Sequence, residues 1–350
     1  MKFNEAIKDA MFQSLETDNK VICYGLGVPD PKHIFDTTTG LQEKFGKERV
    51  FDIPISENAL TGVAIGVSLG GYKPVFVHQR LDFFLLAMDQ LVNGAAKWHM
   101  MFGGTMNVPI TIRLIVGRGW GQGPTHCQSL HSWFAHIPGL KVVMPSNPAD
   151  AKGLLMQSIQ DPNPVVFIEH RWLHNMDGEV PSGNYFMPIG KAKVISKGSD
   201  ITIVGNSIMI PEALHALNFL KERTNIKADL IDLHTVRPID WETIFTSVEK
   251  TGRLLTLDIG AETGSVAGEI IARTANKYGK ELKTPVDRIC MPDYAVPTSV
   301  SLTKDCYPDA YDIAQKILDM LGINNIDISE LRSTRTWTHD IPGNWFSGPF

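Results

Sequence analysis

Cysteine is scarce in this 350-residue chain. Cys23, Cys127, Cys290 and Cys306 stand at unrelated spacings and no CxxC pair occurs, which excludes a zinc knuckle and a thioredoxin-type dithiol. The four are expected to be free thiols, mostly inside the protein. Clustered basic residues are also lacking: 33 Lys and Arg against 38 Asp and Glu give a net charge of −5. A nucleic-acid partner, which calls for a basic face, is therefore not expected. No long apolar run exists either. The uncharged stretches at 58–72 and 119–140 are interrupted by Gly, Asn, His, Gln and Pro, whereas a membrane-spanning helix needs about 20 mostly apolar residues. The opening MKFNEAIKDAMFQSL reads as an amphipathic helix of mixed charge rather than a signal peptide. The expectation is a protein of the cytoplasm with no membrane partner.

What is present is an alternation. Short β-branched runs at 21–24, 75–78, 110–116, 140–144 and 165–169 are separated by helical patterns at 58–69, 83–100 and 148–160. Strands alternating with helices predict an α/β fold with a parallel sheet covered on both faces. Residues 176–191, rich in Gly, Pro and Asn, read as a linker. The pattern then restarts, with strands at 201–204, 228–232, 254–258 and 286–289 and helices at 211–223, 241–249, 266–275 and 309–321. The predicted organisation is a first domain over 1–175, the linker, a smaller α/β domain over 192–328, and an aromatic tail over 329–350. That tail carries Trp337, Trp345, Phe346 and Phe350 and reads as a segment that lies across a surface.

The run PISENALTGVAIGVSLGG is the most informative. Ser56 reads as the N-cap of a helix that begins at Glu57. Gly62, Gly66 and Gly70 recur every four residues and leave one face without side chains, while Leu60, Val63 and Val67 form the expected core stripe. Each helical glycine costs roughly 0.5–1 kcal/mol relative to alanine, so close backbone approach by a neighbour, such as another subunit, is expected there. Spacing alone makes Glu57 an acid placed to suit the helix dipole.

The order of several motifs adds a family resemblance. LQEKFGKERVFDIPISE, LAMDQLVNGAAK, GPTHCQSLHSWFAHIPGLKVVMPSNPADAKGLL, DPNPVVFIEHR, PIGKAKV and DLHTVRPID follow one another as in the β subunits of the thiamine-diphosphate-dependent pyruvate and branched-chain 2-oxoacid dehydrogenases. The resemblance runs from about residue 4 to 321. It implies a transketolase-like pyrimidine-binding domain followed by a transketolase C-terminal domain. It also implies oxidative decarboxylation of a 2-oxoacid, with acyl transfer to a lipoyl acyltransferase partner. The matching sequence of transketolases keeps a non-redox alternative open, ketol transfer or acyloin formation.

By this resemblance Glu57 bonds a ring nitrogen of the aminopyrimidine and favours the imino tautomer that deprotonates the thiazolium carbon. Phe83 lies against the pyrimidine ring, Ile55 lines the same pocket and His126 handles protons near the reacting centre. Backbone oxygens around Ile110, Ser158, Asp161 and Asn163 are implied to hold K⁺. A zinc site from His126, His131 and His136 is not expected, because five-residue spacing turns successive helical side chains apart.

One absence completes the argument. The GDG motif that holds Mg²⁺ and the diphosphate in such enzymes occurs nowhere in the chain. An α subunit must supply it, with the cofactor shared across an α2β2 assembly. The sequence also departs from the family: Leu26 and Leu86 stand where polar residues connect the two active sites, and His78, Gln79, Arg80 and Asp82 make the wall before Phe83 unusually polar.

Overall fold

The computed structural model describes residues 1–117, 122–303 and 305–333. The aromatic residues expected to form the tail's contact lie outside the described residues. Two sheets organise the chain. In chain order the strands are β1 (Val21–Gly25), β2 (Val50–Phe51), β3 (Lys73–His78), β4 (Thr111–Val116), β5 (Lys141–Val143) and β6 (Val165–His170). The later ones are β7 (Lys193–Ser196), β8 (Ile201–Gly205), β9 (Ala228–Asp232), β10 (Thr235–Arg237), β11 (Leu254–Ala261) and β12 (Asp287–Met291).

The first sheet runs β10-β5-β6-β4-β3-β1-β2, all parallel except β10. The strands β1, β4 and β6 are buried along their whole length and are mostly apolar on both faces, as a sheet covered on both sides requires, with Arg113 and Glu169 buried as an ion pair at 2.7 Å. Helices Phe3–Thr17 and Pro148–Gln160 pack against each other on this layer. The second sheet, β12-β11-β8-β9-β7, is parallel apart from β7. Residues 178–191 between the two sheets form neither helix nor strand.

Two differences from the sequence-based expectation have clear causes. The helix predicted over 83–100 is broken into Leu81–Phe84, a 3₁₀ turn at Leu85–Ala87, a π turn at Gln90–Ala95 and Ala96–Met101. Gly94 lies under the helix Glu57–Leu69, where an added Cβ would stand 3.0 Å from the Ile65 side chain, so the break sits where two helices approach closely. Second, β10 follows a strand of the second sheet yet pairs antiparallel with β5 of the first.

That crossing is fixed by a buried polar junction. The imidazole of His234 lies 2.9 Å from the carboxylate of Asp150, at the start of the helix Pro148–Gln160, and 3.5 Å from Asp232. Ser146 donates to Asp232, and the Lys193 ammonium reaches Asp150 at 3.0 Å. Asp150, Asp232 and His234 have ligand atoms within 4.8 Å of one another, but the Lys193 ammonium on Asp150 opposes a cation there. Burial pulls the His234 pKa down, but the bond to Asp150 and the charges of Asp232 and Asp150 outweigh it and the net direction is upward. Burial pushes Asp150 up, but His234, Asn147 and Lys193 bring it to about 2.

A raised histidine pKa adds stability that is complete below the ordinary value of 6.5 and disappears as pH rises through the folded value. The lowered Asp150 adds stability that is present above 3.8 and lost as pH falls toward 2. Melting of the chain between pH 6 and pH 9 should therefore show a loss of stability that His234→Gln largely flattens. Parallel pH profiles for the two proteins would contradict this account of the junction.

Candidate active site

The helix Glu57–Leu69 begins at Glu57, with Ser56 as the residue before it. Ser56 makes no side-chain capping bond. The Thr61 hydroxyl donates to the Glu57 carbonyl at 2.8 Å, and the Tyr24 hydroxyl donates to the Leu60 carbonyl at 3.1 Å, which ties the first turn to β1. The side chain of Asp52 accepts the Gly27 N–H at 2.7 Å and so joins the loop after β1 to the segment leading to Glu57. Glu57 is thus held at the carboxyl ends of β1 and β3, the end of a parallel sheet where ligands bind.

The buried face of this helix is Thr61, Ala64, Ile65 and Ser68. The expected stripe of Leu60, Val63 and Val67 is corrected accordingly: Val63 is 51% exposed, and the other two are only half-buried. Two apolar stripes fit this sequence, and the chain buries the one with the smaller side chains. On the glycine face Gly66 turns outward, whereas a Cβ at Gly62 would stand 3.3 Å from the Gln90 side chain. A Cβ at Gly66 would meet nothing within 4 Å, so nothing in the chain itself requires a glycine there.

Beside Glu57 opens a shallow cleft lined by Leu26, Ile55, Phe76, His78, Gln79 and Phe83 together with Glu57 itself. Phe83, 37% exposed, shows an uncovered aromatic surface. His126 meets it edge-on, with ring centres 5.4 Å apart and planes at 87°. The Thr125 hydroxyl lies 3.1 Å from His126 Nδ1. Asp82 accepts both the backbone N–H of Gln128 (3.3 Å) and its side-chain amide (2.8 Å), which clamps the loop carrying His126 to the turn carrying Phe83. Glu57, Phe83 and His126, chosen from the sequence, are therefore brought to one place. Ile55 lines the same cleft but is 75% exposed, so within this chain it desolvates little.

Ile110, Ser158, Asp161 and Asn163 gather at the opposite, amino-terminal end of the sheet. The Ile110 carbonyl accepts the Val165 N–H at 3.0 Å, and that of Ser158 accepts from the Thr111 hydroxyl at 3.1 Å. Asp161 accepts the Asn163 N–H at 2.9 Å and pairs with the Lys141 ammonium. A cation at this end would order the turn and stand apart from the cleft. The three histidines do not converge: His131 is buried against Asp258 at 2.7 Å, away from the His126–Phe83 pair.

In the sequence Arg80 stands out only as part of the polar run before Phe83. It is buried, donates to the Gly117 carbonyl at 2.7 Å and to the Gln122 side chain, and so braces the far wall of the site. Burial lowers its pKa, partly offset by Asp82.

Comparison with known proteins agrees with this layout. Residues 1–176 match the family model described as the transketolase pyrimidine-binding domain, and residues 190–313 match the transketolase C-terminal domain. The chain belongs to the transketolase family. The chain is 39% identical over 319 residues to the acetoin:2,6-dichlorophenolindophenol oxidoreductase subunit beta of Cupriavidus necator, covering 88% of this chain and 94% of the relative. It is 37% identical over 322 residues to the pyruvate dehydrogenase E1 component subunit beta of Bacillus subtilis, covering 91% and 99%. Among solved structures, a split-gene transketolase described as an inactive beta4 tetramer superposes with a TM-score of 0.73 at 21% identity over 93% of this chain, a likeness of fold. Within the transketolase family the chain therefore stands with β subunits, and its similarity to them covers both domains.

The outward Gly66 gives a direct test. Gly66→Ala should stabilise the isolated chain by about 0.5–1 kcal/mol, because alanine is the better helix former and meets no neighbour. Urea denaturation of the two proteins measures it, and a destabilised variant would show that the chain's own packing needs the glycine.

Proposed function

We propose that this chain is the β subunit of a thiamine-diphosphate-dependent 2-oxoacid dehydrogenase and that it works only with an α subunit in an α2β2 assembly. One observation carries the reading: a carboxyl at the first residue of a helix adjoins an uncovered phenylalanine across an open cleft, and the helix face beside it is exposed. In this reading a flat aminopyrimidine lies between the two groups once a partner completes the cleft. Phe83 offers a stacking surface and Glu57 a carboxyl for a ring nitrogen. Thiamine diphosphate bound there supplies a nucleophilic carbon and an electron sink for decarboxylation. The residues of this chain bind, orient and move protons. Glu57 holds the proton at the pyrimidine edge, Phe83 fixes the ring plane, and His126, edge-on to Phe83, is within reach of the reacting end as a proton carrier.

The diphosphate and its Mg²⁺ belong to the partner in this proposal, since the chain has no GDG motif. The exposed Ile55, Val63 and Leu86 and the bare Gly66 form the surface that the α subunit covers. The carbonyls of Ile110 and Ser158 with Asp161 and Asn163 hold K⁺ as an ordering ion. The acyl product passes to a lipoyl acyltransferase. A second reading, oxidative cleavage of an acyloin, is supported by the two acetoin oxidoreductase subunits at 39% and 38% identity. No described helix is long and apolar enough to cross a membrane.

Glu57→Gln in the reconstituted α2β2 assembly should lower turnover by about 10²–10⁴-fold, the usual size of a lost acid–base contribution. An artificial electron acceptor with a panel of 2-oxoacids and acyloins measures it and separates the two substrate classes. Near-normal turnover by the variant would remove Glu57 from the chemistry. By calorimetry the β chain alone should show negligible binding of thiamine diphosphate, and tight binding without a partner would contradict the shared site.

A further inference from the structure

The loop that carries His126 is held from two sides. The first domain grips it through Asp82 and Gln128, and the second domain lies directly behind it. At the start of the loop a Cβ on Gly123 would collide with the Thr298 hydroxyl. In the middle Cys127 packs with Met291 and Val296. At the end a Cβ on Gly260 would stand 3.1 Å from the His131 ring and 3.4 Å from the Ser129 carbonyl, so the backbone of β11 lies against the chain there. At that point His131, the first residue of the helix His131–His136, brings Nε2 to 2.7 Å from the Asp258 carboxylate on β11, and each side chain is only 1% exposed.

Asp258 is a fixed anchor. Its carboxylate accepts the Gly260 N–H at 2.8 Å and the Ala267 N–H, in the first turn of the helix Val266–Tyr278, at 3.2 Å. Burial pushes its pKa up, but the His131 imidazole and the two N–H groups outweigh it and the net direction is downward. A buried carboxylate that loses a partner is costly, so the loop cannot leave its seat without stranding Asp258. Neither His131 nor Asp258 lines the cleft beside Glu57, so their contact is not part of the binding surface.

Resting on the role given to His126 above, we propose that His131 and Asp258 are positioning residues, the contact by which the second domain holds the His126 loop in place against Phe83. The second domain adds no side chain to the lining of the cleft beside Glu57 and contributes instead through the placement of this loop. Placement matters because a shift of about 1 Å at a reacting group can cost about a hundredfold in rate.

The test compares His131→Leu, which removes the polar contact, and His131→Gln, whose amide can replace it, with the parent protein. In hydrogen exchange on the full β chain, His131→Leu should speed exchange over residues 122–131 by about ten- to hundredfold, the size expected for a lost contact to a charged group. Exchange in β4 and in the helix Val266–Tyr278 should stay as in the parent. In the reconstituted α2β2 assembly the same substitution should lower kcat by about tenfold or more and leave thiamine diphosphate binding unchanged by calorimetry. His131→Gln should recover most of both effects. Unchanged exchange over the loop would overturn the proposal, and so would faster exchange throughout the chain or a melting temperature far below the parent, which would assign the pair to the fold as a whole. His126→Ala in the same assembly separates the two ideas. If it lowers turnover while His131→Leu does not, the positioning role is wrong and the role of His126 stands. If neither lowers turnover, the role of His126 fails and the proposal fails with it.

Discussion

Everything in this structure turns on a helix whose outer face the chain leaves uncovered. The first residue of that helix is an acid at the carboxyl end of a parallel sheet, where the helix dipole and the strand ends both suit a ligand. The inner face is well packed through Ala64 and Ile65. The outer face offers Val63 and the bare backbone at Gly66 to solvent. Neither is a good surface for an isolated protein, and the glycine weakens the helix besides. Both features make sense when a second protein lies against this face and closes the cleft that Glu57 and Phe83 begin.

The rest of the molecule serves to hold this edge still. Tyr24 fastens the first helical turn to β1, and Asp52 fastens the loop ahead of it. Asp82 and Gln128 lock the turn of Phe83 to the loop of His126. On the far side, the Asp150–His234 pair and the antiparallel β10 join the second domain's chain to the first sheet. The amino-terminal end of the sheet, with Lys141 on Asp161, is separately braced. A cleft open to a partner on one side is thus anchored on the others.

Much of this was legible in the sequence because strongly periodic segments dictate their own structure. The strand β9 and the helix Pro148–Gln160 have the ends that the pattern predicts, the helix because Asn147 and Pro148 mark its start. Glu57, Phe83 and His126 converge as the motif order implied. Three things were hidden. The inward face of the helix Glu57–Leu69 was ambiguous, because Val63 and Ile65 are equally apolar and only tertiary contacts choose between them. The π turn at Gln90–Ala95 depends on how closely Ile65 approaches Gly94, a distance no single sequence states. The pairing of β10 with β5 is a three-residue contact between segments nearly a hundred residues apart, too short to leave a pattern.

The most direct measurement of the central claim is a structure of the chain assembled with its α partner and thiamine diphosphate. The account predicts the Glu57 carboxyl within hydrogen-bonding distance of a pyrimidine nitrogen, the ring stacked on Phe83, and Val63 and Gly66 covered by the partner. A Glu57 side chain facing bulk water, with that helix face still bare, would contradict it.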